Sequence, residues 1–96
     1  MSKYRVTLRQ ALDLGRVVAT PGALEAVSRL EINHALFRHL HCDWGDVCDG
    51  DWQSNNHSFW NELRILSAYH TAGGVKFWII TEADRSYTTV LLPDKY

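Results

Sequence analysis

The last third of the chain most constrains its fold. Three runs rich in β-branched and aromatic residues, 64–70, 75–82 and 87–92, are separated by Thr71-Ala72-Gly73-Gly74 and Ala83-Asp84-Arg85-Ser86, and Pro93 stops the third run. Gaps of that size and chemistry close hairpins, so the pattern predicts a three-stranded antiparallel meander in chain order, with the Gly73-Gly74 hairpin first. In the middle run Val75, Phe77, Ile79 and Thr81 alternate with Lys76, Trp78, Ile80 and Glu82. The second set is half apolar, which leaves room for cover on that face too.

Upstream the pattern changes to helical signals. Thr7-Leu8-Arg9-Gln10 has the capping-box spacing and Gly15 suits a left-handed cap, which predicts a short helix over residues 8–14. Alternation at Tyr4, Val6 and Leu8 reads equally as an N-terminal edge strand, with a strand over residues 4–6 handing over to that helix as the combined form. Residues 16–19 are a brief extended segment. Thr20-Pro21 starts a helix with Ala23, Leu24, Val27 and Leu30 inward. Asn33 caps a third over residues 35–41, burying Leu36, Phe37 and Leu40 with Ile32 leading in, and the two helices form a hairpin. Asp51 caps a fourth, running to about Asn61 with Trp52, Phe59, Trp60 and Leu63 at helical spacing. The expected fold is therefore α+β: three or four short helices followed by the meander, in a single domain over residues 1–96 without linker or repeat.

A formal charge of −1 and a pI near 6.5 supply no basic excess, so tight non-specific binding to nucleic acid is not the favoured activity. No apolar run reaches the roughly 18 residues of a membrane span, and Met1-Ser2-Lys3-Tyr4-Arg5 lacks the apolar core of a signal peptide. A cytoplasmic location follows as the expectation. Cys42 and Cys48 are then expected as reduced thiols.

His39, His41, Cys42, Cys48 and His57 crowd the middle of the chain, but their spacing fits no zinc-finger pattern, where ligands come in close pairs such as C-x₂-C. Nor does the aspartate-rich loop make a calcium site: counting back from Gly50, the ligand positions of an EF-hand fall on Gly45, Val47 and Asp49. No metal or other cofactor is expected. The loop's charge still matters, because residues 41–62 hold five acids and no Lys or Arg, whereas residues 1–40 hold six basic and three acidic side chains. Such polarisation steers association with a complementary partner. Asp43, Asp46, Asp49 and Asp51 are the candidate contact carboxylates, with Trp44 as a loop anchor and Trp78 as a candidate on the sheet.

For catalysis the candidates are Glu82, Asp84 and Arg85 at the second turn, with Tyr69, His70 or Tyr87 nearby across the meander. A turn with an exposed ion pair is the commoner meaning of Asp84-Arg85, and no base is set beside a nucleophile. The order of strand, two helices and meander is similar to that of the RelE-like ribonuclease toxins, which cut RNA with basic and aromatic side chains on the sheet. This meander supplies only Arg64, Lys76 and Arg85 to such a face.

A second resemblance spans residues 7–96. Leu14-Gly15-Arg16-Val17-Val18-Ala19-Thr20-Pro21-Gly22-Ala23-Leu24, Asp43-Trp44-Gly45-Asp46 and Ile80-Thr81-Glu82-Ala83-Asp84-Arg85-Ser86, with Thr88-Thr89-Val90-Leu91-Leu92-Pro93 after it, resemble a family of small "plasmid-related" proteins. Its members are carried on bacterial plasmids, prophages and phages. The resemblance implies a mobile-element setting rather than a reaction. The expected function is a non-catalytic protein-binding module whose partner is a host or element protein. Its specific form would be an inhibitor of a nucleic-acid-targeting defence complex, of anti-restriction or anti-CRISPR type. The alternatives are a RelE-like ribonuclease and a small DNA-binding accessory protein using Arg5, Arg9 and Arg16. A homodimer is compatible with the sequence.

Overall fold

A computed structural model describes residues 11–95. The elements in chain order are β1 (Arg16–Ala19), α1 (Pro21–Ala26), α2 (Arg29–Leu40), α3 (Asp49–Asn61), β2 (Ile65–His70), β3 (Lys76–Thr81), β4 (Tyr87–Leu91) and a 3₁₀ turn (Pro93–Lys95). The fold is α+β, and β2, β3 and β4 form the expected antiparallel meander. The sheet is nevertheless not a three-stranded antiparallel one. β1 adds to β4 in parallel, so that among the described residues the sheet is mixed and has four strands, in the order β1-β4-β3-β2. The four-residue run Arg16-Val17-Val18-Ala19 carries no local sign of this, because its partner lies about seventy residues downstream.

The predicted helix over residues 8–14 and the strand over residues 4–6 lie wholly or partly outside the described residues. Where it is described, the segment is not helical. Its backbone groups are taken by tertiary partners: Leu12 N–H donates to the Leu40 carbonyl (2.8 Å), and Thr88 Oγ1 donates to the Leu14 carbonyl (2.8 Å). Gly15 then turns the chain into β1 at φ +61, where a Cβ would collide with the carbonyls of Arg85 and Ser86.

Thr20 caps α1 as expected, accepting from Ala23 N–H at 3.2 Å with Pro21 at the first helical position. That helix stops early, because Val27 is extended and Ser28 starts α2 by accepting from Glu31 N–H at 3.1 Å. Ser28-x-x-Glu31 is a capping box, and Asn33, the expected cap, is mid-helix. The buried face of α2 is Ile32, Ala35 and His39, with Phe37 left 61 % exposed and Leu30 80 % exposed. Of the expected face, Leu36 and Leu40 are half-buried and Leu36 packs against the core, whereas Phe37 is turned out and His39 turned in, since apolar periodicity cannot see a buried imidazole. α3 begins two residues before the expected cap Asp51 and ends where Glu62 adopts a left-handed conformation, φ 54.

One side of the sheet packs its Tyr69, Phe77, Ile79 and Val90 against Ala23, Val27, Ile32 and Ala35 of the helical layer. A second cluster joins Leu12, Trp44 and Ile65 to Trp52 and Phe59 of α3. The opposite face is partly covered, with Ala68, Ile80 and Leu91 buried and Leu66 and Trp78 half-buried. Ile79→Ala should cost about 2–5 kcal/mol, since Ile79 is fully buried, and Leu66→Ala distinctly less. Chemical denaturation of the two variants checks this ranking; equal costs would contradict the packing described.

The edge strand β2 is closed off by side chain and loop. The Asn55 amide acts as a short strand, its Nδ2 donating to the Leu66 carbonyl (2.8 Å) while Leu66 N–H points to Oδ1 at 3.4 Å. Two residues on, Asp46 N–H donates to the Ala68 carbonyl (2.7 Å) and Ala68 N–H to that of Trp44 (3.2 Å). The close approach requires Gly45, at φ +77, since a Cβ there would meet the Ala68 carbonyl. With the donors and acceptors of Leu66 and Ala68 occupied, this stretch of the edge cannot template another strand.

Candidate functional site

The aspartate loop is where the sequence placed a contact surface, and the structure divides it in two. Asp43 is a structural residue. Arg38 grips it bidentately, Nε to Oδ2 at 2.8 Å and Nη2 to Oδ1 at 3.2 Å, while Gly45 N–H also donates to Oδ1 (3.1 Å). The Arg38 hydrogen bond holds the Asp43 carboxyl below its ordinary range, burial opposing, and the same bond raises Arg38. Trp44, proposed from sequence as a loop anchor, is 0 % exposed. Its indole stands edge-on to His39, ring centroids 5.7 Å apart, and Nε1 donates to Asn56 Oδ1 at 2.9 Å. A loop residue between aspartates reads as solvated, but pairing with β2 turns this one inward.

The remaining carboxylates stay at the surface. Asp46 pairs with His70, Nδ1 to Oδ2 at 2.7 Å, and both are exposed. Asp49 and Asp51 are exposed in the first turn of α3, where negative charge complements the unpaired N–H groups of the helix start. Asp49, Gln53 and Trp60 recur at i, i+4 and i+11 on one helix face, and Trp60 is 68 % exposed. Sequence periodicity assigned Trp60 to the buried stripe; Trp52 and Phe59 fill that stripe, leaving Trp60 outside it. Trp78 lies half-buried on the far side of the sheet, opposite Ala68 and Leu91.

Behind Asp51 a cleft of about 280 Å³ opens between α3 and β2, lined by Asp51, Ser54, Asn55, Ser58, Arg64 and Leu66. The Asn55 amide is committed to Leu66, so the cleft offers a carboxylate, two hydroxyls and a guanidinium. Arg64 stands 3.6 Å from Glu82, which borders a shallower hollow of about 360 Å³ with Asp84, Ser86 and Tyr87. Carboxylates therefore mark both hollows.

The catalytic candidates do not converge. Tyr69 and His70 pair with Phe77 and Lys76 at one end of β3, whereas Glu82, Asp84 and Arg85 follow its other end, beside Tyr87. Arg85 closes the C-terminal end of α3, Nη1 donating to the Leu63 carbonyl (2.7 Å) and Nη2 to that of Ser58 (3.0 Å). Tyr69 Oη donates to the Asp43 carbonyl (2.7 Å), and burial pushes its phenol up. Asp84 accepts from Ser86 N–H (3.0 Å), its carboxyl lowered by hydrogen bonds from Ser86.

The histidines and cysteines also disperse. His41 lies exposed against Phe37, His57 bonds Asn61, and Cys42 and Cys48 are thiols. Among the described residues no three His, Cys, Asp or Glu are grouped to hold a metal. His39 is buried, bonded to Ser67 Oγ at 2.6 Å and to Thr81 Oγ1 at 2.8 Å. The end of this chain sets its direction. Thr88 donates to the Leu14 carbonyl, so its oxygen accepts from Thr81 (2.7 Å). Thr81 in turn accepts from His39 Nε2–H, leaving Nδ1 to accept from Ser67. The imidazole is thus assigned as the neutral Nε2–H form, and burial holds its pKa at about 3. A serine and a histidine in contact suggest nucleophile and base, but both are fully buried, as are Thr81 and Thr88. The network ties α2, β2, β3, β4 and the segment entering β1 together, with no opening for a substrate. Sequence patterning held no signal for it.

No known protein-family model matches the chain, and no curated protein or solved structure matches it either. Among the described residues, no helix is long and apolar enough to cross a membrane.

Proposed function

We propose that this protein is a non-catalytic protein-binding module that docks the acidic flank of α3 onto a basic surface of its partner. The observation that carries the reading is the exposure of Asp46, Asp49 and Asp51 within a 22-residue segment free of Lys and Arg, with Trp60 uncovered farther along the same helix. Charge of one sign steers encounter, and an exposed indole supplies the buried anchor once the complex forms. The resemblance to mobile-element proteins gives this surface its expected target. In the cytoplasm of a host, carboxylates gathered in the loop before α3 and in its first turn would occupy the phosphate-binding groove of a nucleic-acid-targeting defence complex. The RelE-like ribonuclease reading gains nothing from the geometry, because Arg85 is spent on carbonyl oxygens and the buried Ser67–His39 pair has no route to RNA. Of the arginines invoked for DNA binding, Arg5 and Arg9 lie outside the described residues and Arg16 is exposed on β1.

The test starts from capture of the partner with the tagged full chain. The D46N/D49N/D51N variant should fold as the parent does, since exposed carboxylates contribute little to stability. It should bind the captured partner with a slower on-rate at low salt, and Trp60→Ala should dissociate faster. The wild type should also compete with nucleic acid for the partner in a mobility-shift assay. Unchanged kinetics in both variants would remove this flank as the interface, and undisturbed nucleic-acid binding would remove the inhibitor reading.

A further inference from the structure

One face of α3 builds the cleft beside β2, and every residue lining it is among those described. Asp51, Ser54, Asn55 and Ser58 recur at i, i+3, i+4 and i+7, so their side chains project from the same side of the helix. Asn55 shows where that side looks, because its amide bonds the backbone of Leu66. Ser58 follows it onto the cleft wall and is 9 % exposed. Its carbonyl accepts from Arg85, yet its Oγ makes no hydrogen bond to any described residue. A hydroxyl buried without a partner calls for a bound group to satisfy it.

The cleft also has two electrically different ends. The chain leaves α3 at Asn61 and returns along it in β2, so Arg64 lies toward the C-terminal end of the helix, whereas Asp51 lies in its first turn. The Asp51 carboxylate has no ion-pair partner among the described residues. Between the two ends the wall is the Ser54 hydroxyl and the half-buried Leu66.

We propose that this cleft binds an ω-amino carboxylate, a linear chain with an ammonium at one end and a carboxylate at the other. The ammonium sits between Asp51 and Ser54, neighbours one turn apart, and the carboxylate accepts from the Ser58 Oγ–H with the positive charge of Arg64 behind it. Glu82 stands 3.6 Å from Arg64 and competes for its guanidinium, so Ser58 is the fixed donor. The methylenes lie on Leu66. The length also fits. The midpoint of Asp51 and Ser54 lies about 8 Å along the helix axis from Ser58, and the nitrogen and carboxyl carbon of extended 6-aminohexanoate stand roughly 7–8 Å apart by standard bond lengths. A lysine at a protein C-terminus has the same spacing between its ε-ammonium and its α-carboxylate.

Titration of the isotope-labelled full chain with 6-aminohexanoate, followed by NMR, tests this without any protein partner. Amide shifts should concentrate on residues 51–58 and 64–66 and saturate in the millimolar range. Hexylamine and hexanoate each lack one charge, and 4-aminobutyrate is too short to reach both ends, so all three should bind at least about tenfold more weakly. Asp51→Asn and Ser58→Ala should each cost a similar factor. Ser58→Ala should also melt no lower than the wild type, because it removes a hydroxyl without a partner. Two further probes separate the sources of the ligand. Nα-acetyl-lysine binding as well as 6-aminohexanoate, with its methylamide weak, identifies a protein C-terminus; a preference for the unbranched chain identifies a free ω-amino acid. Absent or scattered shifts overturn the proposal, as does equal affinity for hexylamine, hexanoate or the shorter chain. So does binding indifferent to D51N and S58A, or a clearly lower melt of S58A, which would make the hydroxyl a structural group.

Discussion

Acidification from pH 7 to pH 4 is expected to remove about 3 kcal/mol of folding stability through one residue, His39. Its folded-state pKa, about 3, lies well below the ordinary 6.5 because burial disfavours the imidazolium, with the positive charge of Arg85 adding to the effect. At neutral pH both folded and unfolded chains carry the neutral ring. As pH falls through 6.5 the unfolded chain takes up a proton that the folded chain refuses, so stability declines by about 1.4 kcal/mol per pH unit until the folded form itself protonates near pH 3. Asp43, lowered from its ordinary 3.8, acts in the same direction but only below about pH 4, so the windows separate. Urea midpoints across pH 4–7 for the wild type and His39→Gln measure it: the variant, whose amide can still donate to Thr81 and accept from Ser67, should lose the slope. Parallel slopes would mean that His39 titrates normally. Should the variant not fold, the wild-type His39 ring followed by NMR must stay neutral from pH 7 to pH 4.

The other large effect is expected at Trp44. Trp44→Ala should cost roughly 3–5 kcal/mol, as deletion of a fully buried indole does. Against a domain stability of about 5–15 kcal/mol this threatens the fold itself. The loss goes beyond area. The indole packs between His39 and α3 and holds the loop whose backbone covers Ala68, so its removal loosens the seal on β2. Trp44→Phe should be milder, keeping the ring while releasing the Asn56 bond. Thermal melts and near-ultraviolet dichroism would read both. A cost under about 0.5 kcal/mol, the range of surface substitutions, would return Trp44 to the role of contact residue.

His39 and Trp44 also show why the site was less legible than the fold. Immediate neighbours place His39 in a His- and Cys-rich stretch and Trp44 among the aspartates of a loop, and neither setting points to burial. Each is buried because distant groups satisfy its polar atoms: Ser67 and Thr81 for the imidazole, Asn56 for the indole. Trp60 errs in the other direction, since helical spacing groups it with Trp52 and Phe59 although only those two meet the core. Asp46, Asp49 and Asp51 were placed correctly at the surface, while Asp43 was claimed by Arg38, five residues away.

What the sequence determined by itself is the part of the molecule written in local chemistry. The meander follows from three period-two runs and two turns with Gly-Gly or Asp-Arg-Ser, and the start of α1 from Thr20-Pro21, because each depends on residues within a few positions of one another. The tertiary structure alone decided that β1 joins β4 in parallel, that α2 turns a histidine inward, and that a loop rather than a strand seals β2. These depend on partners tens of residues apart, such as Val17 with Thr88, His39 with Thr81 and Gly45 with Ala68. A hydrogen bond or ladder of that range is worth forming only once the chain has brought its ends together, and local sequence carries no record of that closure.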